Sequence, residues 1–252
     1  KAERAPGTGR RLALARWLTR PDHPLTARVI VNRVWQQHFQ QGIVSTLDNL
    51  GHAGARPTHP ELLDWLAVEL VESGWSIKHL HRLIMISAVY RQQSSVTEEH
   101  LSRDPENTGL SRMPMRRMDA EVLRDSLLAI AGRLRLEFFG EADGVEARDD
   151  GLVVSTPSGG TWRRSIYVIQ RRTQPVTILG NFDRPQMNPN CVQRSNSNVA
   201  TQALHLLNNK MVYDLAVAFA ERVRAEAGTN RQQQLKRAFL LALGRPPSQE
   251  EL

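Results

Sequence analysis

The chain has 252 residues, 40% of them apolar and 23% charged, a balance that supports one large or two smaller folded domains and excludes wholesale disorder. Its formal charge of +7 rests on arginine, because Lys1, Lys78, Lys210 and Lys236 are the only lysines among 33 basic residues. No nucleic-acid motif accompanies that charge, so nucleic acid is not the expected partner, and no apolar run approaches the roughly 18 residues of a membrane-spanning helix.

The first six residues lack the charged start and apolar stretch of a secretory signal, which places any export signal upstream. From Gly9 to Leu18 apolar residues recur at helical spacing, and Pro21 and Pro24 end the run. A second helix opens near Thr26, with Val31, Trp35 and Phe39 in one row and Arg28, Asn32 and Gln36 in a neighbouring one; Gly42 is its expected terminator. Thr58-His-Pro-Glu61 has the form of a capping box with proline in the first turn. It opens a helix whose core face is Leu62, Leu63, Leu66 and Leu70 and whose stop is Gly74. Ser76 caps the next helix, striped by Leu80, Ile84 and Ala88, so that about four helices are expected to bundle over residues 9–92.

Residues 104–118, with Pro105, Gly109 and Pro114, read as a connector to a helix capped by Asp119 and facing inward with Leu123, Leu127, Ile130 and Leu134. Residues 137–150 carry six acids against one arginine and read as a loop. Two strands are expected, over residues 151–155 and 165–170, the second alternating Ile166 and Val168 against Tyr167 and Ile169. Three helices follow near residues 199–208, 210–227 and 231–243, ended by Gly228 and by Gly244 with Pro246 beyond it. Ser248-Gln-Glu-Glu251 resembles the capping box of a further helix, so the chain is expected to be a piece of a longer polypeptide.

The densest chemistry lies between Arg163 and Arg194, where six arginines meet one acid, Asp183. Arg163, Arg164, Arg171 and Arg172 bracket the second expected strand; they could receive an anion, but pairing with the acidic loop before them is the favoured use of so many guanidinium groups. The polar run that follows includes Asn188, Asn190, Cys191, Arg194, Ser195 and Asn196, and Asp183 is placed to orient Arg194 or Arg164 or to serve as a base. Gln202, His205 and Asn209, with Asn208 alongside, give the next helix a polar side opposite Leu204 and Leu207. Buried amides are costly unless bonded, so this row is expected to brace the arginine-rich loop. Arg164, Arg171, Arg172, Asp183, Arg194, Gln202 and Asn208 are therefore the candidate binding hub.

Other constellations are weaker. The single Cys191 has only His205 as a nearby base by sequence, and no CxxC or CxxCH spacing holds zinc or haem, so no cofactor and no metal is expected. His79 and His81 lie on a helix, where their rings point about 200° apart and do not share a metal.

Several separated motifs carry a resemblance: Arg11-Leu-Ala-Leu-Ala-Arg-Trp-Leu18, Asn32-Arg-Val-Trp35, His59-Pro-Glu-Leu-Leu-Asp-Trp65, Arg163-Arg-Ser-Ile-Tyr167, Phe182-Asp183, Gln202-Ala-Leu-His-Leu-Leu-Asn208 and Leu243-Gly-Arg-Pro-Pro247. In this order they resemble a domain of unknown function abundant in Planctomycetes, typically the C-terminal module of large exported proteins whose upstream modules include cytochrome-c-like domains. The resemblance implies an extracytoplasmic location and upstream domains of the same polypeptide as partners, and it brings no reaction or catalytic residues. The expected fold is mainly α, with helical bundle lobes over residues 1–103 and 104–252 and a small two-stranded β element. The expected role is a non-catalytic interaction or scaffold module. The competing reading is a hydrolase or binding domain for an anionic polymer, or a docking partner of a cytochrome-c-like domain, with its site among Arg164, Asp183, Arg194, Gln202 and Asn208.

Overall fold

The computed structural model describes residues 8–185 and 191–252, and it divides into two compact units between Arg116 and Arg117. The fold is mainly α, with ten α-helices and two small two-stranded sheets among the described residues. Among the described residues no helix is long and apolar enough to cross a membrane.

In the first unit, α1 (Arg10–Leu18) buries none of its residues, whereas α2 (Thr26–Phe39), α3 (Pro60–Glu72) and α4 (Ile77–Ile86) share one core. Most of the rows read from the sequence are buried, namely Val31, Trp35 and Phe39 from α2, Leu63, Leu66 and Leu70 from α3, and Leu80 and Ile84 from α4; Leu62 is only partly covered, and Ala88 is exposed because α4 ends at Ile86. A fifth helix, α5 (Glu98–Arg103), was not expected from the sequence; Thr97 caps it by accepting from the His100 N–H at 3.2 Å. Ser76 caps α4 as expected, accepting from the His79 N–H at 3.2 Å.

Two terminators act differently from expectation. The α3 cap is His59, not Thr58, whose N–H and hydroxyl both go to the Ile43 carbonyl and tie down the preceding loop. Helix α2 already ends at Phe39, with Gln40 taking the left-handed turn, so Gly42 is needed for another reason. A Cβ at Gly42 would lie 2.6 Å from the Val44 carbonyl oxygen and 2.8 Å from the Asn32 side chain. His79 bonds Glu69, while His81 reaches His38 across the bundle at 2.7 Å, so the HxH pair serves two separate faces.

In the second unit, α6 (Ala120–Ile130) is followed by β1 (Leu134–Arg135), β2 (Val145–Ala147), β3 (Val153–Ser155) and β4 (Trp162–Arg163), then by α7 (Thr177–Asn181), α8 (Ala200–Asn208), α9 (Lys210–Ala227) and α10 (Arg231–Leu243). Strand β1 pairs parallel with β4, and β2 pairs antiparallel with β3 through Val145 opposite Ser155 and Ala147 opposite Val153.

The expected strand over residues 165–170 does not form. Ser165–Tyr167 is a 3-10 turn closed by Tyr167 N–H to the Arg164 carbonyl, and only Val168 bridges to Asp143. The cause is tertiary: Asp125 accepts from both the backbone N–H and the hydroxyl of Ser165, at 2.8 and 2.7 Å, and those bonds draw the segment onto α6. Helix α6 is itself rotated from expectation. Its buried stripe is Ala120, Arg124 and Leu128, with Leu123 and Leu127 only partly covered, because a fully buried arginine occupies a position an apolar pattern would not assign to the core.

Candidate functional site

The second unit is organised around two buried guanidinium groups. Arg124 has no solvent-exposed surface. Its Nη2 donates to the Ser155 hydroxyl at 2.8 Å, and its Nη1 reaches the Arg163 carbonyl at 3.1 Å, the Ser165 hydroxyl at 3.2 Å and Asp125 at 3.4 Å. Burial lowers its pKa, opposed by Asp125 and Asp143, but an arginine keeps its proton under such a shift. Arg163, 3% exposed, lies over the Tyr167 ring at 4.1 Å and donates to the backbone carbonyls of Glu137, Phe139 and Glu141. The acidic loop thus holds Arg163 through its carbonyl oxygens, while its one buried carboxylate, Asp143, accepts from the Arg163 N–H at 2.7 Å and from Arg135 at 3.4 Å.

The candidate hub is distributed over several places. Asp183 and Gln202 come together: the Asp183 carboxylate accepts from the Ser197 N–H at 2.6 Å and from its hydroxyl at 2.8 Å, and Gln202 donates to the Ser197 oxygen at 3.2 Å and to the Asn181 carbonyl at 2.9 Å. Arg194 pairs with neither of these. It forms a two-pronged ion pair with Glu121, at 2.6 and 3.3 Å, on the first turn of α6. Burial raises the Glu121 pKa, but the hydrogen bonds from Arg194 and the backbone outweigh it and leave the carboxyl below its ordinary value. Asp119 begins α6 without bonding its amides; it faces Arg194 at 4.0 Å.

Arg164 is half exposed and sits 3.6 Å from Asp125, so the expected Asp183 partnership with Arg164 or Arg194 is replaced by Ser197 on one side and α6 carboxylates on the other. Arg171 and Arg172 are exposed, with Arg171 reaching Gln174 at 3.4 Å, and Asn208 is exposed as well. Neither arginine nor Asn208 joins the buried network. Its neighbour Asn209, already marked by the polar row of α8, is buried and bonds His205 and Met211, whereas Arg124, Asp143 and Ser165, which form the buried network with Arg163, were not singled out in the sequence. The candidates Asn188 and Asn190 lie outside the described residues.

Helix α8 brackets the network with an inverted face. Gln202, His205 and Asn209 are buried while Leu204 and Leu207 are 54% and 79% exposed. Asn209 accepts from the Met211 N–H at 2.8 Å, which turns its amide nitrogen toward His205 Nε2 at 3.2 Å; the Asn181 side-chain amide lies 3.1 Å from Nδ1. Both ring nitrogens are therefore occupied by amides. Cys191 is exposed, with its thiol on the Gln193 carbonyl at 3.0 Å, so the cysteine and histidine are not a nucleophile and base pair.

A second proton on His205 would point at the Asn209 NH2 group, donor against donor, and burial alone already lowers its pKa from 6.5. A histidine with a depressed folded pKa stabilises the fold fully above its unfolded value and loses that contribution as pH falls toward the folded one. The His205 imidazole signal, followed by NMR between pH 8 and 4, is expected to titrate with a midpoint below 6.5. A midpoint at or above that value would contradict the bonding described.

Between α6 and the 3-10 turn lies a cleft of about 630 Å³, lined by Glu121, Asp125, Arg164 and Arg194 together with Val122 and Ile166. Its charged walls are already engaged with one another. Among the described residues no three or more histidine, cysteine or carboxylate side chains are placed to hold a metal ion.

The family model described as PSD1, protein of unknown function (DUF1553), matches residues 10–252. No curated protein and no solved structure matches the chain. That match takes in every described helix of both units, and the chain therefore belongs to the PSD1 family of proteins of unknown function.

Proposed function

We propose that this chain is a non-catalytic interaction module within a larger exported polypeptide, docking to the domains that precede it. One observation carries the reading: three polar groups that the sequence marks as candidates for chemistry are each tied to a separate partner within the fold. Arg194 is committed to Glu121, Asp183 to Ser197, and His205 to two amides. A catalytic centre holds a base within reach of a nucleophile and leaves room for a reacting atom beside both. Here such polar groups act as internal braces, and the surface keeps the exposed Arg171 and Arg172 and the exposed apolar edge of α8.

Those two exposed arginines also favour the second reading, a binding surface for an anionic partner such as an acidic domain or polymer. Titrating the chain with the segment that precedes it in its natural polypeptide, by NMR at low ionic strength, separates the outcomes. Docking is expected to shift resonances near Arg171, Arg172 or Leu207 and to survive Arg194→Ala as long as that variant folds. Weakening by Arg171→Glu with Arg172→Glu, and by added salt, marks the electrostatic face as the one engaged. An absence of any shift with the preceding segment would sink the docking reading.

A further inference from the structure

The acidic loop forms a second concavity, away from the cleft beside α6, of about 380 Å³. Its walls include Arg135, Glu137, Glu141, Thr156 and Ser158, and Phe139 stands at its edge. Phe139 is 86% exposed, and its neighbour Phe138 is 71% exposed. Water-exposed phenyl rings in succession are unfavourable for a chain that uses them for nothing. Phe139 is also held at φ +62, a left-handed conformation in which a bulky side chain is strained. Strained backbone that the surrounding structure enforces gathers at binding sites. The enforcement is visible here, since the Phe139 carbonyl is one of the three that grip the buried Arg163.

The polar lining is incompletely paired. Arg163 Nε and Arg135 Nε have no hydrogen-bond partner among the described residues but are themselves buried behind the lining, so it is the surface side chains that face a ligand. The side chains of Glu141, Thr156 and Ser158 make no hydrogen bond among the described residues, and Glu137 only approaches Arg135 at 3.8 Å. The concavity therefore offers planar acceptors, hydroxyls that both donate and accept, and the partly exposed Arg135 guanidinium, beside one aromatic ring. Two arginines stand against the three acids Glu137, Glu141 and Asp143, so no excess positive charge is left to attract an anion.

We propose that this concavity is a glycan-binding site that seats one ring of a neutral saccharide against Phe139. A sugar ring has an apolar face of C–H groups that stacks on an aromatic ring, and an edge of hydroxyls, each both donor and acceptor. Carboxylates and hydroxyls read adjacent hydroxyl pairs by paired hydrogen bonds, and a small number of such groups beside an aromatic wall is the usual composition of a ligand site. Phosphate or sulfate finds no net positive charge here, and an apolar ligand would leave the polar lining unpaired.

The test uses the whole chain and a panel of neutral oligosaccharides built from hexoses, pentoses and N-acetylhexosamines, with a uronic-acid oligosaccharide for comparison, titrated by NMR. At least one neutral member is expected to bind with a Kd of about 1 mM or tighter, shifting resonances of Phe139, Glu141 and Thr156. Phe139→Ala is expected to weaken that binding about tenfold or more, and Glu141→Gln to weaken it several-fold. Phe139→Gly removes the left-handed strain, so it should melt no lower than the parent while losing binding, which separates recognition from folding. The proposal is overturned if no neutral member binds, if the uronic acid binds more tightly than all of them, or if Phe139→Ala binds like the parent. None of these results bears on docking to the preceding segment, which is measured separately.

Discussion

Replacing Arg124 with alanine is expected to destabilise the second unit by about 3–5 kcal/mol, the range seen when one partner of a buried charge network is removed. The guanidinium is wholly buried and joins α6 to β3, through Ser155, and to the segment after β4, through the Arg163 carbonyl and Ser165. Its removal leaves the Ser155 hydroxyl and the Arg163 carbonyl without their guanidinium donor in the interior, while Asp125 keeps its bonds from Ser165. Each such orphaned group costs about 1–3 kcal/mol, and the vacated volume adds to the loss. Arg124→Met restores much of the volume but not the charge, so it should recover only part. Arg124→Lys keeps the charge but lacks the planar fork that reaches Ser155 and Ser165 together. Urea unfolding followed by circular dichroism measures all three; a loss below about 1 kcal/mol for the alanine variant would mean the network is not what holds these elements together.

In the first unit, the corresponding position is Asn32. Its side-chain amide closes a two-bond ring with the backbone of Val44, donating to the carbonyl at 2.9 Å and accepting from the N–H at 2.8 Å. The contact requires Gly42 alongside, because a methyl group there would collide with both partners. Asn32→Ala strands a backbone donor and an acceptor in the core, at an expected cost of about 2–4 kcal/mol. Asn32→Asp keeps the shape but buries a carboxylate and reverses the polarity of the bond to the Val44 carbonyl. It should be at least as harmful at neutral pH and partly relieved at low pH, where a protonated acid can donate again. Thermal melts of the two variants at pH 7 and 4 check the pair. Equal stability of parent and alanine variant would remove Asn32 from its assigned role.

Much of the helical framework was legible because local periodicity and burial agreed. In α2, α3 and α4 most of the apolar rows are buried, and α8, α9 and α10 have their expected limits, with Gly228 and Gly244 at the ends of the last two. The short elements were not legible. Helix α7 has five residues, and its buried Ile178 and Leu179 owe their conformation to packing with Ala120 and Phe182, not to a repeating pattern. The β-branched alternation around Ile166 favoured a strand, yet Asp125 captured the Ser165 amide and hydroxyl and bent the segment into a turn. The polar residues were legible as a group and not as pairs. Asp183 found Ser197, fourteen residues on, while Arg194 reached back to Glu121, seventy-three residues earlier, and no feature near either position distinguishes these choices.

The amino-acid order by itself determined the longer helices, the glycine ends of the last two, and the presence of more arginine and amide than a water-facing surface explains. These properties follow from interactions within a few residues, through turn geometry, capping and the free-energy difference between apolar and polar side chains in water. The tertiary structure alone decided which guanidinium groups went inside, that α8 would bury its polar row and expose Leu204 and Leu207, and that Phe139 would stand strained at the rim of a polar concavity. A buried charge is tolerated only where several acceptors from distant segments converge on it, and that convergence exists only once the chain has folded.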